Sequence, residues 1–243
     1  MRNCSICNSV FPNFLPMPEQ YVRQINAFNV GYSLCEFETL NLAEYLCPVC
    51  GATDRDRLYA LYFSTLYKIV SGERFRVLDI APSKPLSWFL RNQPGVQYRS
   101  GDLYSDLADE RVDICHMPHF ADASFDLIVC SHVLEHVKDD RMAMRELYRV
   151  LSPEGRAILM VPILTTASDI DEEVSELSVE DRWRRFGQDD HVRMYNRIGW
   201  LSRLYETGWF INKLEMDDFG AQNFTIHGIS KTSVLYIGSH LNT

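Results

Sequence analysis

The alternation of short apolar runs with helical periods over residues 75–237 restricts the fold more than any other feature. Phe75-Arg76-Val77-Leu78-Asp79-Ile80 and Phe125-Asp126-Leu127-Ile128-Val129-Cys130 are of strand length and almost wholly apolar, the pattern of strands buried on both faces. Ser83 is placed to cap a helix through Leu90, and a short strand is predicted near 96–100. A further strand ends near Asp113. A helix follows over 139–151, with Met142, Leu147 and Val150 facing inward, closed by Ser152-Pro153-Glu154-Gly155, and then a strand over 156–163. The polar stretch 164–190 reads as loop or short helix. A helix near 197–207 and strands near 210–216 and 233–237 complete the pattern. Strands alternating with helices mean an α/β fold with a mostly parallel sheet.

The first 53 residues follow a different rule. Cys4-Ser5-Ile6-Cys7 and Cys47-Pro48-Val49-Cys50 are two C-x2-C pairs, able to place four thiolates tetrahedrally around Zn²⁺ at about 2.3 Å. Gly51 suits the tight turn that aims amide N–H groups at the sulfurs. The gap between the pairs exceeds the common spacing of about 15–20 residues, which fits a zinc ribbon with an inserted loop. Disulfides or free buried thiols are the alternative, and a cytosolic chain disfavours disulfides. Cys35, Cys115 and Cys130 read as small hydrophobes, with Cys35 the one substitute ligand. Prolines at 12, 16 and 18 exclude a long helix there. From Asp54 to Val70, Leu58, Leu61, Tyr62, Thr65, Leu66 and Ile69 form a helical stripe that Ser71-Gly72 would end. The expected organisation is a zinc-binding module over 1–53, a linking helix over 54–73 and an α/β domain over 74–243.

Charge narrows the partners. Lys and Arg number 24 against 33 Asp and Glu, a net charge of −9, which argues against a polynucleotide substrate held by its phosphates. Arg182, Arg184 and Arg185 form the best basic cluster, either an anion contact or a solvated helix face. No apolar run approaches the roughly 20 residues of a membrane span, and Met1-Arg2-Asn3-Cys4 lacks the apolar core of a secretory signal. A cytoplasmic protein is expected. The sequence does not disclose the oligomeric state.

In an open parallel sheet, ligands bind beyond the carboxyl ends of the strands. Asp79, Asp102 and Asp113 stand at or near three such ends. Asp102, at the end of the second strand, is placed to accept the ribose hydroxyls of a nucleoside. Asp113 could meet an adenine amine, and Asp79 lies beneath the first loop. For each, the bland reading is a cap or turn residue.

Val77-Leu78-Asp79-Ile80-Ala81-Pro82, Gly101-Asp102-Leu103, Asp122 through Ile128 and Ser131-His132-Val133-Leu134-Glu135-His136-Val137 resemble class I S-adenosylmethionine (SAM) dependent methyltransferases. So does Arg145 through Gly155. The likeness spans roughly 74–240 and is most specific over 122–162, which is similar to the small-molecule, type 11 methyltransferase domain. Residues 47–63 and Phe186-Gly187-Gln188-Asp189-Asp190-His191-Val192-Arg193-Met194-Tyr195 resemble signatures of a bacterial subfamily with an N-terminal zinc knuckle. The resemblance implies a Rossmann-like, seven-stranded, mostly parallel sheet with helices on both faces. It also implies SAM as cofactor, bound by Asp79, Ala81, Pro82, Asp102, Leu103, Asp113, Ile114, Ser131 and His132, with structural zinc on Cys4, Cys7, Cys47 and Cys50.

One departure matters. The family's first loop is glycine-rich, and here Ala81, Ser83 and Pro85 stand at those positions. Either the loop binds SAM along a different path, or the site is degenerate and the protein is a non-catalytic binder. The same lack of glycines weakens an NAD or FAD reading.

For the chemistry, His191 is the candidate base, Arg193 could pair with an acceptor carboxylate or phosphate, and Tyr195 could hydrogen-bond the acceptor. The competing reading is an internal polar network of Asp190, His191 and Arg193 that holds the loop. Glu135 and His136 form a tempting acid–base pair, while His116 and His119 read as turn or rim residues. The leading function is methyl transfer to O or N of a small molecule or a sugar of a glycan precursor. Alternatives are an RNA or protein methyltransferase docking through the zinc module, and a SAM-fold binding protein without catalysis.

Overall fold

A computed structural model describes residues 1–70 and 74–241; the helix end expected at Ser71-Gly72 lies outside them. The chain opens with a two-strand ribbon, β1 (Arg2–Asn3) and β2 (Val10–Phe11), then α1 (Glu19–Ala27) and α2 (Asp54–Val70). The alternating section runs β3 (Phe75–Ile80), α3 (Lys84–Arg91), β4 (Val96–Asp102), β5 (Glu110–Arg111), β6 (Phe125–Ser131), α4 (Asp140–Val150) and β7 (Leu151–Met160). A connecting section holds β8 (Asp171–Glu172), α5 (Val179–Phe186) and β9 (Arg193–Met194). The chain closes with α6 (Arg197–Glu206), β10 (Phe210–Leu214), α7 (Met216–Phe219), α8 (Ala221–Ile226) and β11 (Leu235–Ser239).

Seven strands form one sheet in the order β10-β11-β7-β6-β3-β4-β5. The strands from β7 to β5 are mutually parallel, and β11 runs antiparallel to both β7 and β10. This is the Rossmann-like, mostly parallel sheet expected. Strand order reverses between β3 and β6, so a crevice opens there beyond the strand ends. Register brings the ends level, with Ile80 beside both Gly101 and Cys130.

Four elements differ from expectation. Residues 152–155 do not close α4 as a loop, because Val150 passes directly into β7 and the irregularity is absorbed as a register shift against Phe125 and Leu127. The strand before Asp113 shrinks to two residues. In α2 the buried face is Leu58, Tyr59, Ala60 and Phe63, while Thr65 is exposed, since the first turns are covered on several sides. Helix α1, which no periodicity announced, begins immediately after the last proline of the run, Pro18.

The cysteine-bearing part of the first 53 residues shares its core with the sheet, whereas Met17, Ile25 and Leu34 pack with Trp183 in a second cluster. Cys4, Ile6, Phe11 and Phe14 belong to the same apolar cluster as Val77, Leu127 and Ile158 of the sheet. Fully buried Arg57 on α2 ties the regions together, donating to the carbonyls of Glu44, Tyr45 and Ala52 on one side and of His227 and Gly228 on the other. A buried guanidinium is tolerated because its donors are satisfied.

Candidate functional site

The strand ends carry two left-handed residues that are not glycine. Ala81 follows β3 with φ 52°, and His132 follows the last residue of β6 with φ 57°. Each is pinned to the neighbouring strand, Ala81 N–H donating to Gly101 O and His132 N–H to Met160 O, both at 2.8 Å. The glycine-poor first loop therefore takes a backbone path normally eased by glycine, at a steric cost of about 1–2 kcal/mol.

Around these turns stand the sequence-predicted acids. Asp79 is buried and accepts from Tyr98 Oη at 2.7 Å; burial pushes its carboxyl up to about 7 against that hydrogen bond. Asp102 Oδ1 accepts from the N–H groups of Tyr104 and Ser105, each at 2.7 Å. Asp113 is exposed and its Oδ1 accepts from Cys115 N–H at 2.9 Å. Leu103 is exposed, Pro82 half-buried and Ile114 buried. Helix α2 closes over the strand ends from the other side: Ser83 donates to Asp56 at 2.7 Å, Tyr59 and Ser131 share a hydroxyl hydrogen bond at 2.8 Å, and the Arg55 guanidinium meets His132 Nε2.

Beyond His132 lies a cavity of about 390 Å³. Tyr21, Tyr32, Phe37 and Tyr45 of the N-terminal segment form one wall and Phe186 and Met194 another. Arg55, His132, Glu135, His136 and His191 supply its polar surface. Volume and lining suit a small molecule with a few placed polar groups. Asp79, Asp102 and Asp113 do not line it; among the predicted cofactor residues only His132 does. Arg55 was legible only as part of a resemblance, and nothing in the N-terminal sequence marked its aromatics as a wall.

Glu135 is 0% exposed. Burial alone would raise its carboxyl, but His132 foremost, then His191 and His136, hold it well below the ordinary range. Burial pushes His191 down to about 4 despite the Glu135 charge, so its imidazole is neutral near pH 7. Val192 N–H donates to Glu135 O at 2.9 Å, fastening the two segments side by side.

Arg193 is not where an acceptor could meet it. It is fully buried, donating to Leu134 O, Val137 O and Lys138 O and to Glu172 Oε1. Every donor group faces protein because β9 runs behind the 134–138 turn. Tyr195 is likewise buried and donates to Asp140 Oδ2 at 2.6 Å, which also accepts from Arg203 at 2.5 Å. Of the network expected from Asp190, His191 and Arg193, Arg193 is held inside the protein, as is Tyr195, while Asp190 lies against His136 and both His136 and His191 line the cavity. The Arg182, Arg184 and Arg185 cluster is spent on α5 and its surroundings: Arg182 donates to His191 O, Arg184 pairs with Glu180 and Arg185 with Asp171. His119 packs against Phe120 with ring centres 4.1 Å apart and planes tilted by 54°, and neither it nor His116 lines the cavity.

Beside the N-terminal turns of α2, one Sγ from each of Cys4, Cys7, Cys47 and Cys50 lies within 4.8 Å of the others. Cys4 and Cys50 Sγ are 3.7 Å apart, and Cys7 and Cys47 Sγ 3.8 Å. Four sulfurs at about 2.3 Å from one ion would be separated by about 3.8 Å, so the donor set fits tetrahedral zinc. Both knuckles turn through a left-handed residue four positions after the first cysteine, Asn8 at φ 57° and Gly51 at φ 74°. Cys35 is exposed and outside the cluster.

Residues 72–159 match the family model described as a methyltransferase domain. An uncharacterized methyltransferase of Bacillus subtilis, YcgJ, is 35% identical over 81 residues, covering 33% of this chain and 30% of that protein. The matched stretch is thus under a third of that relative's length. Among solved structures, the [4+2]-cyclase SpnF superposes over 95% of this chain and 100% of its own with TM-score 0.53 and 14% identity, a likeness of fold. The structure of B. subtilis YcgJ covers 74% of this chain with TM-score 0.44 and 19% identity. No helix among the described residues is long and apolar enough to cross a membrane. Residues 72–159 are thus similar to a methyltransferase domain, and they fall within a sheet of Rossmann-like strand order.

Proposed function

We propose that this chain transfers the methyl group of SAM to O or N of a small-molecule acceptor, a sugar unit included, bound in the cavity beneath the N-terminal segment. The observation that carries this reading is the cavity itself, which begins at His132 on the end of β6 and is walled by Tyr21, Tyr32 and Tyr45. SAM when bound supplies an electrophilic methyl on sulfur, and the chain's task is to hold the acceptor in line and keep water out. Asp102 would accept the ribose hydroxyls through Oδ2, since Oδ1 is engaged by its own turn. Asp113 would meet the adenine amine, Ala81, Pro82, Leu103, Ile114, Ser131 and His132 would line the cofactor, and Asp79 would brace the first loop from below. His191 faces the acceptor, and Arg193 is a positioning residue that fixes the turn carrying Glu135 and His136. The cysteine cluster would hold structural zinc, making residues 1–53 a zinc-stabilised module, 54–73 its link and 74–243 the methyltransferase domain.

Docking of RNA or protein through the zinc module has less support, because the net charge is −9 and the module packs into the common core. A fold shared with a cyclase shows that fold does not dictate chemistry. The test is to incubate the zinc-loaded protein with SAM and panels of small hydroxyl and amine acceptors, sugars, RNA and protein, reading demethylated cofactor and acceptor mass. Turnover confined to small molecules or sugars supports the proposal. Turnover only on RNA or protein, or binding of SAM without turnover on any class, contradicts it.

A further inference from the structure

The polar floor of the cavity is under-satisfied in a way that hydrogen bonding inside the protein does not repair. Glu135 is wholly buried; its Oε1 lies 3.2 Å from His132 Nδ1, and its Oε2 has no hydrogen-bond partner among the described residues. The buried Nδ1 of His191 has no partner among the described residues either, whereas that of His136 faces Asp190 Oδ2 at 3.1 Å. A buried carboxylate left so is costly, and buried charges in proteins are paired or coordinate metals. One ligand atom from each of Glu135, His136 and His191 lies within 4.8 Å of the other two. The rings of His136 and His191 meet edge to face, with centres 4.6 Å apart.

We propose that Glu135, His136 and His191 form a divalent-metal site in the floor of the acceptor cavity, separate from the cysteine cluster. Two imidazoles and one carboxylate suit borderline divalent ions such as zinc, cobalt, iron or manganese. Metal–nitrogen and metal–oxygen bonds of about 2.0–2.2 Å gather such a set when the imidazoles rotate. The surroundings supply the orienting contacts that metal ligands need. The Arg55 guanidinium donates to His132 Nε2, which leaves the proton on His132 Nδ1, 3.2 Å from Glu135 Oε1. Asp190 Oδ2 lies 3.1 Å from His136 Nδ1 at the rim. The Val192–Glu135 backbone bond and the three carbonyl bonds of Arg193 hold both ligand-bearing segments in place. With three protein ligands, the open positions face the cavity, where the ion would hold an acceptor hydroxyl and make it more acidic.

The role in acceptor chemistry rests on the function proposed above; the site itself does not. Its test therefore omits SAM and acceptor. Protein with the cysteine site filled by zinc is titrated with Co²⁺, following the visible d–d absorption. The expected result is one equivalent taken up with a nitrogen/oxygen spectrum free of thiolate charge transfer, and affinity reduced at least about tenfold in Glu135→Gln. His136→Gln, at a half-exposed position, should show the same loss with an unchanged melting temperature, so that misfolding of the first variant leaves a clean measurement. Absence of saturable Co²⁺ uptake, uptake showing only thiolate bands, or equal affinity in folded variants would overturn the site. None of those outcomes bears on SAM binding.

Discussion

Ala81 and His132 turn the chain left-handed at the ends of two adjacent strands, where cofactor and acceptor would meet. Such strain persists where surrounding structure over-determines it and clusters at functional sites. Ala81→Gly removes the Cβ penalty but loosens the unfolded chain, and the net expectation is a gain of up to about 1 kcal/mol in thermal or urea unfolding. Ala81→Val should instead destabilise by more than about 1 kcal/mol; equal stability of the two variants would contradict the strained turn. Asp79 gives a second prediction. Tyr98 of β4 donates to it, Asp56 of α2 repels it and Arg91 of α3 attracts it, but burial dominates and raises the carboxyl to about 7. Because the folded-state value lies above the unfolded one, the folded state holds more protons between about pH 4 and 7, and stability falls as pH rises through that window. Asp79→Asn should flatten this fall, seen as a smaller loss of melting temperature from about pH 5 to pH 8 than in wild type; parallel slopes would contradict it. The three strand-end acids were legible because a buried strand that stops at an acid is itself a pattern. The glycine deficit was legible too, but not that Ala81 would keep the glycine-like turn.

At the scale of elements, the parallel strands β3 and β6 and the helices α4 and α6 could be read from apolar runs and helical periods. The short pieces could not. Strands β8 and β9 have two residues each and pair only with one another, so they carry no period. Their place is set by a charge network: Glu172 pairs with Arg193 and Arg203, and Asp140 with Arg203. Burial would raise Glu172, but Arg203 and Arg193 hold it at about 2, so its contribution to stability is present above its ordinary pKa and is lost as pH falls below about 4. Removing Arg193 leaves the carbonyls of Leu134, Val137 and Lys138 without their donor and Glu172 with Arg203 alone. Arg193→Ala should cost about 3–5 kcal/mol by chemical unfolding, and an unchanged midpoint would refute the clamp. The cysteine knuckles were legible from spacing alone, since C-x2-C twice is a geometric statement. Cys47→Ser should release zinc, read by metal analysis, and lower the melting temperature; unchanged zinc content would remove the structural ion.

For the whole molecule, class and topology were accessible because alternation of strands and helices admits few arrangements, and right-handed crossovers prune those further. The cavity was not accessible. Its walls come from residues 17–45, which have no sustained period, and from α5 and β9, more than a hundred residues later. Only packing brings Tyr21 beside Gln188, whose side chain donates to the tyrosine hydroxyl at 3.1 Å. The same long-range assembly turned Arg193 inward and left Glu135, His136 and His191 facing the cavity, a distinction sequence order does not encode. The proposed function requires this glycine-poor sheet to bind SAM at the ends of β3 and β4. Calorimetric titration of the zinc-loaded, cofactor-free protein with SAM and its demethylated product tests it most directly. Micromolar binding of at least one is expected, abolished by Asp102→Ala in protein that melts like wild type. No detectable heat with folded wild-type protein, or equal binding by the variant, would contradict it.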